Sequence, residues 1–139
     1  MPHTITFPVY YEDTDAGGVM YHANHLKFCE RARTELLRNL GFGNKALADT
    51  SGVVFVVKAI KADYIKPAQL DDVLTVETEV TEIRNASFSL KQSIFKKEHC
   101  IFVMDIVLVC MNHTTHKATP IPAEIRTKFE QFMREGNHN

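Results

Sequence analysis

Val9-Tyr10-Tyr11-Glu12-Asp13-Thr14-Asp15-Ala16-Gly17-Gly18-Val19-Met20-Tyr21-His22 is the stretch that decides how the rest of the chain is read. Apolar residues lead into three carboxylates, Glu12, Asp13 and Asp15. Gly17 and Gly18 follow, and Tyr21-His22 stands at the door of a long amphipathic segment. That order predicts a strand, a tight loop and the start of a helix. Paired glycines open backbone conformations that other residues avoid, and they let a ligand approach the main chain. A helix beginning just after them leaves its first N–H groups unpaired and directed back at the loop. A carboxylate and a set of free donors are thus expected to share one small volume.

Upstream, residues 4–11 alternate Ile5, Phe7 and Val9 with polar or small neighbours, which predicts a short strand. Downstream, Leu26, Cys29, Ala32, Leu36, Leu37 and Leu40 recur at helical spacing, with Lys27, Glu30, Arg31, Glu35 and Arg38 on the other side. This predicts one helix from Ala23 or Asn24 to Leu40 with a single buried stripe, stopped by Gly41. Residues 42–51 form a connector with a helical turn expected over residues 44–48. Three alternating or apolar runs then read as strands over residues 53–65, 74–83 and 87–95, and residues 101–111 as a fourth. Arg84-Asn85 and Lys97-Glu98-His99 are the expected turns, and Pro67 closes the first of these strands. Thr119-Pro120-Ile121-Pro122 breaks the chain before a short helix over residues 123–133.

A strand, a long helix and four strands in hairpin-like succession predict an α+β domain, a sheet wrapped over one helix stripe. A sheet has two faces, and one helix covers one. The runs Val53-Val54-Phe55-Val56-Val57 and 101–111 are apolar on both faces and ask for a second cover. The C-terminal helix and a second subunit are the two candidates.

The 139 residues predict one domain over 1–139, large enough to bury a core without staples. A net charge of -1 argues against nucleic acid or an anionic membrane as the main partner. Three scattered cysteines, Cys29, Cys100 and Cys110, make no CxxC pair and point to a reducing, cytoplasmic setting. No leader-like N-terminus and no apolar run of membrane-spanning length is present in the sequence. His22 and His25, or Cys110, His113 and His116, match no standard zinc spacing, so no metal is expected. The carboxylates of residues 12–15 read equally well as a solvated turn or as charge favouring a helix N-terminus.

The run from Tyr10 to Asn24, continuing through Glu30-Arg31-Ala32-Arg33-Thr34-Glu35, resembles the hotdog-fold acyl-CoA thioesterases. It is most similar to the YbgC-like branch, associated with the bacterial Tol-Pal system, of the 4-hydroxybenzoyl-CoA thioesterase family. The resemblance implies an antiparallel five-stranded sheet wrapped around a central helix, in a homodimer or homotetramer with a continuous sheet. It implies acyl-CoA as substrate, acyl carrier protein as a possible partner, and no cofactor. It makes Asp15 the catalytic carboxylate, as nucleophile or as base for water. It gives the position of His22 a backbone N–H on the thioester carbonyl, and Tyr11 a hydrogen-bonding role. Arg84 aligns with a basic stretch that meets the nucleotide end of coenzyme A, although Asn85 and Ala86 stand where the family has further basic residues. Two other readings are an interaction protein of the cell-envelope system that binds acyl-CoA or acyl carrier protein with little catalysis, and a dehydratase using His22 with Glu30.

Overall fold

A computed structural model describes residues 2–43 and 47–136. Five strands form one antiparallel sheet: β1 (His3–Pro8), β2 (Val53–Tyr64), β3 (Val73–Ile83), β4 (Ser87–Lys96) and β5 (His99–Asn112), in the order β1-β3-β4-β5-β2. Two helices, α1 (Asn24–Asn39) and α2 (Ala123–Gly136), pack on it. This is the hotdog architecture that the sequence predicts. The helical periodicity places α1 within a residue of its observed ends, and Gly41 follows with φ +96°, the left-handed conformation that stops a helix at low cost. Of the expected turn at residues 44–48, residues 44–46 lie outside the described residues, and Leu47–Ser51 form a turn of π-helix.

The first strand is shorter than expected. β1 ends at Pro8, and Tyr11–Asp13 is a turn of 3-10 helix. Pro8 has no N–H to give to a ladder, and the chain leaves the sheet behind it. Tyr11 is therefore not a strand residue.

The core lies between the sheet and α1. Phe28, Cys29 and Ala32 are fully buried, joined by Leu74, Val76, Ile94, Phe102 and Met104 from the strands. Phe28 sits four residues before Ala32, inside the expected stripe, and packs its ring on Phe7 with centroids 5.4 Å apart. Burial pushes the Cys29 thiol up to about 12 and the Cys110 thiol to about 11, so both stay protonated core residues.

One polar node interrupts this core. Gln92 is fully buried on the helix-facing side of β4. Its amide donates to the Cys29 carbonyl at 2.9 Å and to the Thr78 hydroxyl at 3.0 Å, and its carbonyl accepts from Arg33 at 3.0 Å. Arg33 thus points inward, toward β4, and is not part of the charged outer side of α1. The observed ion pair on that helix joins Glu35 to Arg38.

The C-terminal helix is not the second cover. Phe129 of α2 packs on Phe55 and Phe88, and Phe88 shares its side of β4 with Gln92. Both helices therefore lie on one face. On the other, Lys61, Asp105, Lys91 and Glu79 stand in register across four strands, beside half-buried Val103, Val107 and Val109. Alternating charge of that kind suits a solvated face. The unpaired edge of β2 is different: Val56, Val57, Ile60 and Tyr64 are exposed there.

Gln92→Leu strips hydrogen bonds from Arg33, Thr78 and Cys29 together. It is expected to lower stability by about 2 kcal/mol, because a half-buried cation loses its acceptor and the Thr78 and Cys29 oxygens lose their donor. Urea unfolding of the variant measures this.

Candidate functional site

The loop between β1 and α1 is held from three sides. The Asp13 carboxylate, 6% exposed, accepts the Tyr10 N–H at 2.9 Å. Its carbonyl accepts the Tyr21 N–H at 2.8 Å and the Asn24 side-chain amide at 2.9 Å. The third tie runs to the β2–β3 connection, where the Met20 N–H reaches the Ala68 carbonyl and the Val9 N–H reaches the Asp72 carbonyl. Asp13 is thus a structural carboxylate, which separates it from its neighbour Asp15.

Between these ties the chain makes a small hairpin. Thr14 pairs with Met20, the Asp15 N–H donates to the Val19 carbonyl, and the Gly18 N–H closes on the Asp15 carbonyl at 3.1 Å. Asp15 sits at the tip and is exposed. Its Oδ1 accepts the Gly17 N–H at 2.8 Å. A Cβ added at Gly17 would stand 3.2 Å from that oxygen, and Gly18 has φ +81°. The glycine pair is therefore required twice: once for closeness to the carboxylate and once for backbone conformation. Among the described residues, Asp15 Oδ2 has no partner.

His22 lies at the base of the hairpin, one residue past the Tyr21–Asp13 bond. It is exposed. Among the described residues, the backbone N–H groups of His22 and Ala23 have no acceptor, as predicted for the amides at a helix start. Asp15 and His22 do not touch. Val19, opposite Asp15 at the tip, is separated from His22 by three residues, roughly 10 Å along the strand.

A groove of about 290 Å³ opens beside His22, lined by Met20, His22, His25, Tyr64, Ile65, Lys66 and Pro67. Two of its walls, His25 and Tyr64, escape a reading of the sequence for chemistry. The Tyr64 hydroxyl donates to the His22 carbonyl at 2.7 Å, and burial pushes its phenol up, keeping it a donor. His25 Nδ1 lies 3.1 Å from the same carbonyl, so the neutral ring carries its proton there. Its ring packs on Tyr64 and on Phe102, with centroids 4.9 and 5.1 Å away. His25 Nε2 is buried and has no partner among the described residues. The signal for His25 was its spacing, three residues after His22; nothing local marks Tyr64, which comes from β2.

The other expected residues fall elsewhere. Tyr11 is 82% exposed, and among the described residues its hydroxyl makes no hydrogen bond. Its carbonyl accepts from Thr14 instead. Arg84 bonds Ser87 at 2.8 Å and Ser89 at 2.6 Å, and pairs with Glu82 at 2.6 Å. It lies beyond the far end of β3, an 11-residue strand whose start adjoins the loop, so on the order of 30 Å separates it from Asp15 within one chain. Glu30 lines a second cavity of about 80 Å³, with Arg33, Phe55, Phe88 and Phe129, and not the His22 groove. Among the described residues, no cluster of three metal-ligating side chains occurs, and no helix is long and apolar enough to cross a membrane.

Known proteins of similar sequence and shape share this arrangement's frame. A family model of the thioesterase-like superfamily matches residues 9–129. The acyl-CoA thioesterase YbgC of Haemophilus influenzae is 42% identical over 129 residues, 91% of this chain and 95% of its own. The acyl-CoA thioester hydrolase YbgC of Escherichia coli O6:H1 is 42% identical over 124 residues, 88% of this chain and 92% of its own. The crystal structure of a probable thioesterase from Bartonella henselae superposes with a TM-score of 0.84 at 34% identity, covering 88% of this chain and all of that one.

Burial pushes the His25 imidazole below its ordinary range, against the opposing pull of its backbone bond to His22. On acidification the unfolded chain takes up this proton first, so the neutral ring's contribution is complete above about pH 6.5 and is lost as the pH falls further. His3, pushed down by burial with Glu35 opposing, acts in the same direction. The thermal midpoint is expected to fall between pH 7 and 5.5. His25→Asn should remove part of that slope and leave the His3 part, as followed by scanning fluorimetry.

Proposed function

The chain belongs to the thioesterase-like superfamily and is an acyl-CoA thioesterase, and we propose that it cleaves the thioester between Asp15 and the free amides at the start of α1. One observation carries the assignment. Asp15 Oδ2 and the His22 and Ala23 N–H groups are unpartnered among the described residues, on opposite ends of one pinned hairpin. A thioester lodged between them would offer its carbonyl carbon to the carboxylate and its carbonyl oxygen to the amides.

A carboxylate is a weak base at neutral pH. The rate must therefore come from placement and from charge stabilisation on the carbonyl oxygen, where one aimed N–H contributes on the order of 100-fold or more. Either Asp15 attacks the carbonyl carbon and expels the coenzyme A thiolate, leaving a mixed anhydride for water to open. Or Asp15 takes a proton from the water that attacks. Both routes end in a free acid, coenzyme A and an unchanged carboxylate. In our reading His22, exposed beside the groove, passes the proton given up by the water to the leaving sulfur, so that the carboxylate and the imidazole both end unchanged.

The exposed edge of β2 supports assembly as a homodimer whose sheet continues across it. An unpaired edge with Val56, Val57, Ile60 and Tyr64 exposed is a template for strand addition. The His22 groove shares Tyr64 with that edge, so a second copy would wall the substrate in. In such an assembly Arg84 reaches only a substrate seated on another copy. Acyl carrier protein presents the same kind of thioester arm and is a possible alternative carrier.

Asp15→Asn is expected to keep fold and oligomeric state and to lose at least about 100-fold in thiol release from acyl-CoA. Near-normal turnover would remove Asp15 from the chemistry, and saturable acyl-CoA binding by the unaltered protein without thiol release would make it a binding protein. Ile60→Lys on the β2 edge is expected to give monomers by light scattering, with turnover reduced.

A further inference from the structure

Two elements distant in sequence converge on one peptide group. The carbonyl of His22 accepts the Tyr64 hydroxyl at 2.7 Å from the end of β2 and faces His25 Nδ1 at 3.1 Å from the first turn of α1. Both groups belong to one aromatic cluster, in which His25 and Phe102 are buried and Tyr64 closes the outside. The peptide is planar and trans, so the Ala23 N–H points opposite to that carbonyl. Fixing the one fixes the other. Among the described residues the Ala23 N–H has no acceptor.

We infer that Tyr64 and His25 are positioning residues, a two-donor clamp on the His22–Ala23 peptide that aims and polarises the Ala23 N–H toward the thioester oxygen. This rests on the thioesterase reading given above. Orientation is the first effect: an oxyanion donor serves only if it is already in place when charge develops. Polarisation is the second. A carbonyl that accepts two hydrogen bonds draws electron density through its amide, and the N–H on the far side becomes a stronger donor. The clamp also ties the groove to the sheet edge, because Tyr64 belongs to both.

The chemistry of the two donors gives a discriminating test. Tyr64→Phe removes one hydroxyl and keeps the ring on His25 and Phe102. Its kcat for acyl-CoA is expected to fall about fivefold with KM unchanged, the loss of one neutral hydrogen bond felt in the transition state. The Ala23 amide proton is expected to move upfield in a ¹H–¹⁵N spectrum of the same variant. His25→Asn keeps a donor where Nδ1 stood, whereas His25→Gln carries its amide out toward the position of Nε2. Both lose the ring and its packing equally, so His25→Asn is expected to retain several-fold more turnover than His25→Gln.

Unmoved kcat or an unmoved Ala23 resonance in Tyr64→Phe would overturn the clamp, as would equal losses in the two His25 variants. An Ala23 shift in a protein with no acyl-CoA turnover at all would instead sink the thioesterase reading and leave the clamp standing.

Discussion

The loop that carries Asp15 depends on Asp13, a carboxylate tied into the backbone. It is buried where the chain leaves the sheet, and its side chain and carbonyl together take donors from Tyr10, Tyr21 and Asn24. The three bonds join the end of β1 to the beginning of α1 across the hairpin. Without them the hairpin would hang from two glycines and a 3-10 turn, and a loop of that composition has many conformations to lose. With them, the segment that carries Asp15 is exposed yet held. The neighbouring acids differ in exposure: the Asp13 carboxylate is buried against the Tyr10 N–H, whereas the Asp15 carboxylate is exposed beside the Gly17 N–H.

The pattern in the sequence made much of this legible. The apolar spacing from Leu26 to Leu40, with Gly41 behind it, located α1, and the order of strands predicted the sheet. The carboxylate–glycine–glycine–histidine order located the hairpin and the helix start. What stayed hidden was contributed from a distance. Tyr64 reads as one more apolar residue in an alternating strand, and only the sheet order brings it under His22. Arg33 reads as a surface cation because its partner, Gln92, lies on another element. Tyr11 continues the alternation of Ile5, Phe7 and Val9, but Pro8 ends the ladder before it is reached. Arg84 aligned with a family pattern while its guanidinium answers to its own turn, through Ser87, Ser89 and Glu82.

The two faces and two edges of the sheet are not equivalent. One face carries both helices, and the other carries a cross-strand row of alternating charge that needs no cover. The demand for a partner thus moves from the face, where the apolar runs of β2 and β5 seemed to place it, to the edge of β2. There the chain exposes valines and isoleucine beside unpaired backbone groups, the combination that isolated domains suppress with lysine, proline or bulges. A bulge does occur in β2, between Val57 and Ala59, and it brings Ile60, Ala62 and Tyr64 back to the helix-bearing side. The bulge is therefore what delivers the Tyr64 hydroxyl to the loop.

A single displaced residue in an edge strand then links the sheet edge to the loop before α1. Were the ladder of β2 regular, Tyr64 would face the charged side of the sheet, since one step of register reverses every side chain. The His22 carbonyl would lose the donor from the sheet and keep only the one from its own helix. Anything that alters the edge, including the strand of a second copy laid against it, acts on the twist and position of residues 59–64. The path from that edge to the amides at the start of α1 is one tyrosine long. A thioesterase whose carboxylate is held by loop geometry alone would not need such a connection. One that relies on aimed backbone donors does, because a helix terminus frays unless something outside the helix holds it.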